Sequence, residues 1–296
     1  MIRKMYMTRH LLIAFLSVAA IVSGCEEIDD PGTEEEQEQY GYGADVAAPS
    51  WLELPATKAG DGKEWFAHYI DGSDNVRNWS FDYDYASYVS SWVAYPLNSG
   101  LIGSGTRTDA WGYDPLLPMR LQQDVSSGYG TGMDRGHQIP SADRLNYSTN
   151  VTTFYATNMT PQEHDFNGGV WEKLESKVRS YARICDTLYV VTGCVVDGSS
   201  KSTRDKMLHN IKVPTAYYKA LLRYIKNSSG GDYIACGFYL PHDSSINSDS
   251  FMDYIMSVEE LEKKTGMDFF TNLPEVVGAS KAREIESQKP SSWWDR

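Results

Sequence analysis

The chain is predicted to be an α+β protein, because strand-like runs bounded by turn residues and two amphipathic helical segments coexist in it. The first strand is Tyr88 to Tyr95 (Y-V-S-S-W-V-A-Y), followed by Thr187 to Val196 (T-L-Y-V-V-T-G-C-V-V), whose apolar content marks it as more deeply buried. Lys212 to Ile225 contains another extended run after Pro214, and Asp232 to Leu240 is a further strand closed by Pro241. These four runs are expected to build one sheet. The first helix is expected over Asn167 to Arg183, where Val170, Trp171, Leu174, Val178 and Tyr181 form one stripe. The second begins at Ser257, with Glu260 three residues on as a capping box, and stops at Thr265-Gly266. Between Leu97 and Met133 the chain is rich in Gly, Ser, Asp and Pro with little periodicity, which is the character of a binding loop.

The ends point to export. Arg3, Lys4 and Arg9 precede an apolar run from Leu11 to Val22, and small residues lead into Cys25. That order resembles a bacterial lipoprotein signal, so residues 1–24 are expected to be removed and Cys25 acylated; an ordinary signal peptide is the alternative. The following stretch, 25–45, is acidic with little to bury, as befits a solvated tether, and resembles the export signals of surface lipoproteins. Residues 46–296 are expected to form a single domain. The location implied is an outer-membrane lipoprotein, surface-exposed or facing the periplasm, with membrane contact through the lipid anchor only.

The formal net charge is −13, with three basic groups in residues 1–25 and eight acids in 26–40, so the remaining body stands at −8. A body of that sign is not drawn to polyanions as a whole and would need a locally basic cleft to bind one. Cys185, Cys194 and Cys236 show no C-x-x-C spacing, which argues against a zinc site. One disulfide among them and three buried thiols are both open.

Two segments carry chemistry. In Asp134-Arg135-Gly136-His137-Gln138, histidine is the side chain that accepts a proton near neutrality. Gly136 permits close backbone approach, while Asp134 and Arg135 can pair with each other or with phosphate. Alone, the run reads equally as an ordinary turn. The second segment runs from Asn158-Met159-Thr160-Pro161-Gln162 through Asn167 and Trp171 to Glu175 and Arg179. Asn167 stands where the helix begins, either as its cap or as an oxygen ligand for a hard cation. On a continuous helix Glu175 lies about 80° round from Asn167, and Arg179 about 40° further, on one broad face. A solvated Glu175–Arg179 pair is the simpler reading of those two charges.

Together, D-R-G-H-Q, N-M-T-P-Q and N-G-G-V-W-E-K-L-E with Arg179 four residues on resemble the DNA/RNA non-specific endonucleases, members of the ββα-metal (His-Me finger) nucleases. Further similar segments are Ser91 to Tyr95, Gly105-Thr106-Arg107, Val191-Thr192-Gly193, Val213 to Tyr217, Glu259 to Gly266 and Leu273-Pro274, so the resemblance covers roughly residues 64–285. It implies a ββα-metal nuclease fold with a central, mainly antiparallel sheet flanked by helices. It also implies His137 as general base and Asn167 as the direct protein ligand of one Mg²⁺, with Mn²⁺ as a substitute. Glu175 would hold metal-bound water, Asn158 would orient the histidine region, and Arg107 and Arg179 would contact phosphate. Asp134 and Arg135 would position substrate or structure. The implied reaction is sequence- and sugar-non-specific cleavage of DNA and RNA to 5′-phosphate products, with homodimerisation left open. The competing readings are a non-catalytic surface protein binding nucleic acid or glycan, and a phosphoesterase for small nucleotides.

Overall fold

Alternation along the central strands sends large side chains to both faces of one sheet, and both faces are covered. The computed structural model describes residues 51–56, 63–70, 76–130, 132–290 and 294. Residues 1–24, Cys25 and the acidic stretch to residue 45 lie outside the described residues, as does the start of the expected domain. Among the described residues the strands are β1 (Lys63–Tyr69), β2 (Arg77–Asp84), β3 (Val89–Leu97), β4 (Asp134–His137), β5 (Met159–Gln162), β6 (Thr187–Val195), β7 (Ser202–Arg204), β8 (Asn210–Lys212), β9 (Ala216–Ile225), β10 (Asp232–Pro241) and β11 (Ile255–Met256). Seven of them form one sheet in the order β1-β2-β3-β6-β9-β10-β11, with every neighbouring pair antiparallel. The four expected strands are all there, and β3, β6, β9 and β10 lie side by side. The run after Lys212 divides, since Asn210–Lys212 pairs with β7 before Pro214 and β9 starts at Ala216.

On one face, Val93, Tyr95, Val190, Tyr217 and Leu221 meet Val170, Trp171, Leu174, Val178 and Tyr181 of the first helical segment. These last five are each at most 1 % exposed. Burying five such side chains contributes on the order of 10 kcal/mol before chain entropy is subtracted. On the other face, Trp92, Ala94, Val191, Tyr218, Ala220 and Leu222 meet Val258 and Leu261 of the Val258–Thr265 helix and Ala282 and Ile285 of the Ala279–Ser287 helix. The Val258–Thr265 helix has the expected ends: Ser257 and Glu260 form the reciprocal capping box, and Gly266 takes the left-handed conformation with φ 69°. Antiparallel sheets often leave one face wet; here both are dry, which is why β6 and β9 read as nearly continuous apolar runs.

The first helical segment departs from expectation at its start. A wide π-type turn occupies Asn167–Trp171, with Gly169 at φ −107° and ψ −111°, and the regular helix begins at Glu172 and ends at Ala182. The wheel angle from Asn167 to Glu175 therefore does not hold, because the helical repeat is broken between them. The irregular stretch from Leu97 to Met133 contains only short helical turns at Ser99–Ile102 and Met119–Leu121. Buried side-chain amides replace its missing backbone pairing: Gln123 Nε2 donates to the carbonyls of Tyr88, Ala156 and Met159, and Gln122 Nε2 to those of Asp114 and Leu117. Cys185, Cys194 and Cys236 are free thiols, so the disulfide alternative is not realised. No helix among the described residues is long and apolar enough to cross a membrane.

Gly193 on β6 marks the tightest inter-strand approach, since a Cβ there would overlap the Tyr218 hydroxyl and lie 2.6 Å from the Ser91 carbonyl oxygen. Gly193→Ala should cost about 1–3 kcal/mol in urea unfolding. Gly198→Ala, where a Cβ meets nothing within 4 Å, should leave the midpoint nearly unchanged.

Candidate active site

The site is built on a two-stranded clip followed by the helix. β4 pairs antiparallel with β5 so that Asp134 faces Gln162, Arg135 faces Pro161, Gly136 faces Thr160 and His137 faces Met159. A side chain at position 136 would collide with Gln162, so the clip closes only around glycine. Just beyond His137 the backbone is held by Asn158, which is fully buried. Its Oδ1 accepts from Ile139 N at 2.9 Å, and its Nδ2 donates to Ile139 O at 2.9 Å and Thr153 O at 2.7 Å. Asn158 thus occupies the histidine-orienting position expected of it. After β5, Glu163 N donates to His242 Nε2 at 2.8 Å while His242 Nδ1 faces Pro214 O at 2.9 Å, a pairing that requires the neutral ring. Burial lowers the His242 pKa and so favours that form.

The His137 ring packs edge-on against Trp111 and Phe154, with centroids 5.5 and 5.1 Å away. Its Nε2 is buried and without a hydrogen-bond partner, while the ring also contacts the Arg135 backbone. Burial, reinforced by the nearby Arg107 and Arg135 cations, pushes its pKa down to about 3. The imidazole is therefore neutral at neutral pH. Arg107 lies 4.7 Å over the Phe154 ring, with Nε donating to Asp109 at 2.7 Å. Arg135 lies 3.6 Å over the Trp111 ring, and its Nη1 donates to Val125 O at 2.6 Å. Two cations thus rest on the rings that flank the histidine, giving an acidic protein a local basic patch.

Asn167 is no helix cap, for its side chain makes no capping bond. Instead Nδ2 donates to Asp134 Oδ2 at 2.9 Å, and the same carboxylate pairs with His164 Nδ1 at 3.0 Å. This places Asp134 in a positioning role and leaves the amide oxygen of Asn167 as the atom free for a cation. No cluster of three or more His, Cys, Asp or Glu side chains suited to a metal occurs among the described residues. One amide oxygen fits a hard, largely hydrated cation such as Mg²⁺, and does not fit zinc.

Arg179 does not pair with Glu175 as a solvated surface couple. Its Nη1 donates to Asp143 Oδ1 at 3.0 Å and its Nη2 to Ser176 at 2.9 Å. Asp143 also accepts from Tyr95 OH at 2.9 Å, and is 1 % exposed. The half-buried Glu175 carboxylate has no hydrogen-bond partner among the described residues, and desolvation pushes its pKa up to about 7 against the pull of Lys219 and Arg179. Sequence reasoning missed Trp111, Phe154, Asp143 and His242, which come from turns and loops without periodic signal.

Residues 66–276 match the family model of the DNA/RNA non-specific endonucleases. The chain belongs to that family. It is accordingly a nuclease of the hydrolase class. Among its relatives are a nuclease of Nostoc sp., 31 % identical over 72 % of this chain and 78 % of the relative, and a nuclease of Serratia marcescens, 29 % identical over 71 % and 80 %. Mitochondrial endonuclease G of Bos taurus is 27 % identical over 80 % of this chain and 83 % of its own. Among solved structures, a chain of the complex of EndoG with EndoGI superposes with a TM-score of 0.55 at 22 % identity, over 70 % of this chain and 86 % of that one. That match establishes the nuclease fold: the antiparallel sheet, the β4–β5 clip and the Glu172–Ala182 helix are its ββα-metal frame.

The buried neutral His137 has a consequence for stability. Its folded pKa of about 3 lies below the model value of 6.5, so the unfolded chain binds the extra proton first as the pH falls. This contribution is intact above pH 6.5 and is lost progressively from there toward pH 3. Urea unfolding of wild type and His137→Gln across that window should show a shallower acid decline in the variant.

Proposed function

We propose that the chain is an Mg²⁺-dependent endonuclease that hydrolyses DNA and RNA without sequence or sugar preference and leaves 5′-phosphates. The observation that carries this reading is the unpartnered Nε2 of a neutral His137 beside two arginines. In support, Asn167 is turned by Asp134 so that its amide oxygen is free. His137 Nε2 takes a proton from the attacking water as its oxygen bonds to phosphorus, a contribution of about 10²–10⁴ in rate. The phosphodiester placed beside Arg107 and Arg135 offsets the repulsion that keeps His137 unprotonated, so bound substrate makes the imidazole a stronger base. Arg107 and the donors of Arg179 not used by Asp143 stabilise the equatorial oxygens. The bond from phosphorus to O3′ breaks and O3′ takes a proton from solvent, leaving the phosphate on the 5′ side. Mg²⁺ on Asn167, or Mn²⁺ in its place, supplies charge neutralisation at the phosphate, with Glu175 accepting hydrogen bonds from water around it. Contacts confined to the backbone would tolerate any base order.

Incubation of the full chain with plasmid and with single-stranded RNA, with Mg²⁺ or EDTA, tests this directly. Wild type should cut both only with the metal, and His137→Ala should lose at least about 10²-fold in turnover while still folding. Near-normal cleavage by a pure His137→Ala preparation sinks the base assignment. Asn167→Ala should lose activity that excess Mg²⁺ recovers only in part. If binding occurs without cleavage in wild type, the protein is a capture module, and turnover of mononucleotides alone makes it a small-substrate phosphoesterase.

The location proposed is the outer membrane, by acylation of Cys25 after removal of residues 1–24, with the acidic 25–45 stretch as tether to the 46–296 domain. Cys25→Ser should move the protein from the membrane pellet to the soluble fraction on cell fractionation.

A further inference from the structure

Beneath the Glu172–Ala182 helix lies a charge that the reaction as described does not use. Lys219, on β9, is 0 % exposed. The strand alternation puts it on the same face as Tyr217 and Leu221, the face that packs against Trp171 and Leu174. The register sets it directly opposite Thr192 of β6, whose Oγ1 accepts from its Nζ at 2.8 Å, and the ammonium lies 4.6 Å from the Trp171 ring centroid. An ammonium has three donors, and one neutral hydroxyl with one ring is poor compensation for burying it. The strongest attraction it feels comes from Glu175, then from Asp143. Asp143 is already bonded to Arg179 and Tyr95, whereas the Glu175 carboxylate has no hydrogen-bond partner among the described residues.

We propose that Lys219, seated on Thr192, is a positioning residue that keeps Glu175 an oriented carboxylate from beneath the helix. This rests on the role given to Glu175 above. The two residues belong to segments, Val191-Thr192-Gly193 and the strand following Val213 to Tyr217, that otherwise have no part in the site. The other groups acting on Glu175 are Arg179 and Glu172 on its own helix, Asp143 in the turn after β4, and Tyr95 on β3. Arg179 opposes desolvation but is committed to Asp143 and Ser176. Lys219 is the larger of the two opposing cations, and burial lowers its own pKa only to about 8, so it stays charged at neutrality. Without it, Glu175, already pushed up to about 7, would hold its proton to still higher pH.

The test is Lys219→Met in the full chain, read in two ways: the pH profile of kcat/KM with saturating Mg²⁺, and the Glu175 side-chain carboxyl titration by ¹³C NMR without metal, assigned with Glu175→Gln. The Glu175 midpoint and the acid limb of the profile should both rise by about one pH unit, with activity on the alkaline side restored to within about threefold of wild type. In a Glu175→Gln background, Lys219→Met should not move the acid limb further. A uniform loss at every pH with an unmoved Glu175 midpoint overturns the proposal and makes Lys219 structural only. If Lys219→Met does not fold by circular dichroism, Thr192→Val, which removes the seat of Nζ, should give the same rise at smaller size, and an unmoved midpoint there overturns the proposal equally. Should wild type cleave no phosphodiester while the NMR midpoint still moves, the nuclease reading fails and the Lys219–Glu175 coupling stands.

Discussion

The stripe of Val170, Trp171, Leu174, Val178 and Tyr181 fixes how the Glu172–Ala182 helix is rotated on the sheet, and the site depends on that rotation. A helix presents side chains at about 100° intervals, so burying one stripe leaves no freedom in the direction of the others. Glu175 and Arg179 consequently stand at the edge of the buried face, where a carboxylate is partly desolvated and a guanidinium reaches Asp143. The π-type turn at Asn167–Trp171 absorbs the mismatch between this fixed rotation and the incoming clip. Wide turns of this kind are often found at functional sites, and here the turn brings Asn167 to Asp134 instead of to a helix end.

The chemistry of the site follows from how burial and charge are distributed around it. His137 is kept neutral by desolvation and by two neighbouring arginines, which suits a group that must accept a proton and not one that must donate it. The same arginines lie on Trp111 and Phe154, so their charge is held in place by rings that also exclude water from the imidazole. On the helix side the order is reversed, with a carboxylate whose ionisation is opposed by burial and supported by cations. A net acidic protein can thus offer a polyanion a small basic surface, because field strength in a cleft is set by the nearest charges.

Much of this architecture was legible in the chain itself. The strands β3, β6, β9 and β10 and the helix from Ser257 to Gly266 follow from period and capping chemistry, which are local properties. The β2 strand was legible too: Trp79, Phe81 and Tyr83 alternate with polar residues and are all buried, a period-two signal left unread. By contrast β4 and β5 have four residues each, one with glycine and the other with proline, and no pattern distinguishes them from turns. Asp134, Trp111 and Asp143 acquire their roles only through partners 33, 26 and 36 residues away in Asn167, His137 and Arg179.

Sequence alone determined which kinds of group are present and in what order: a histidine after a glycine, an asparagine before a helix, a glutamate and an arginine one turn apart. Those identities, with the segments around them, sufficed for the family and the class of reaction. Tertiary structure decided the states of these groups. Whether Asn167 caps or faces a cation, whether Arg179 pairs with Glu175 or Asp143, and whether His137 is neutral depend on burial and on cross-chain partners. Desolvation and Coulomb attraction act through space, and spacing along a chain does not fix which surfaces meet.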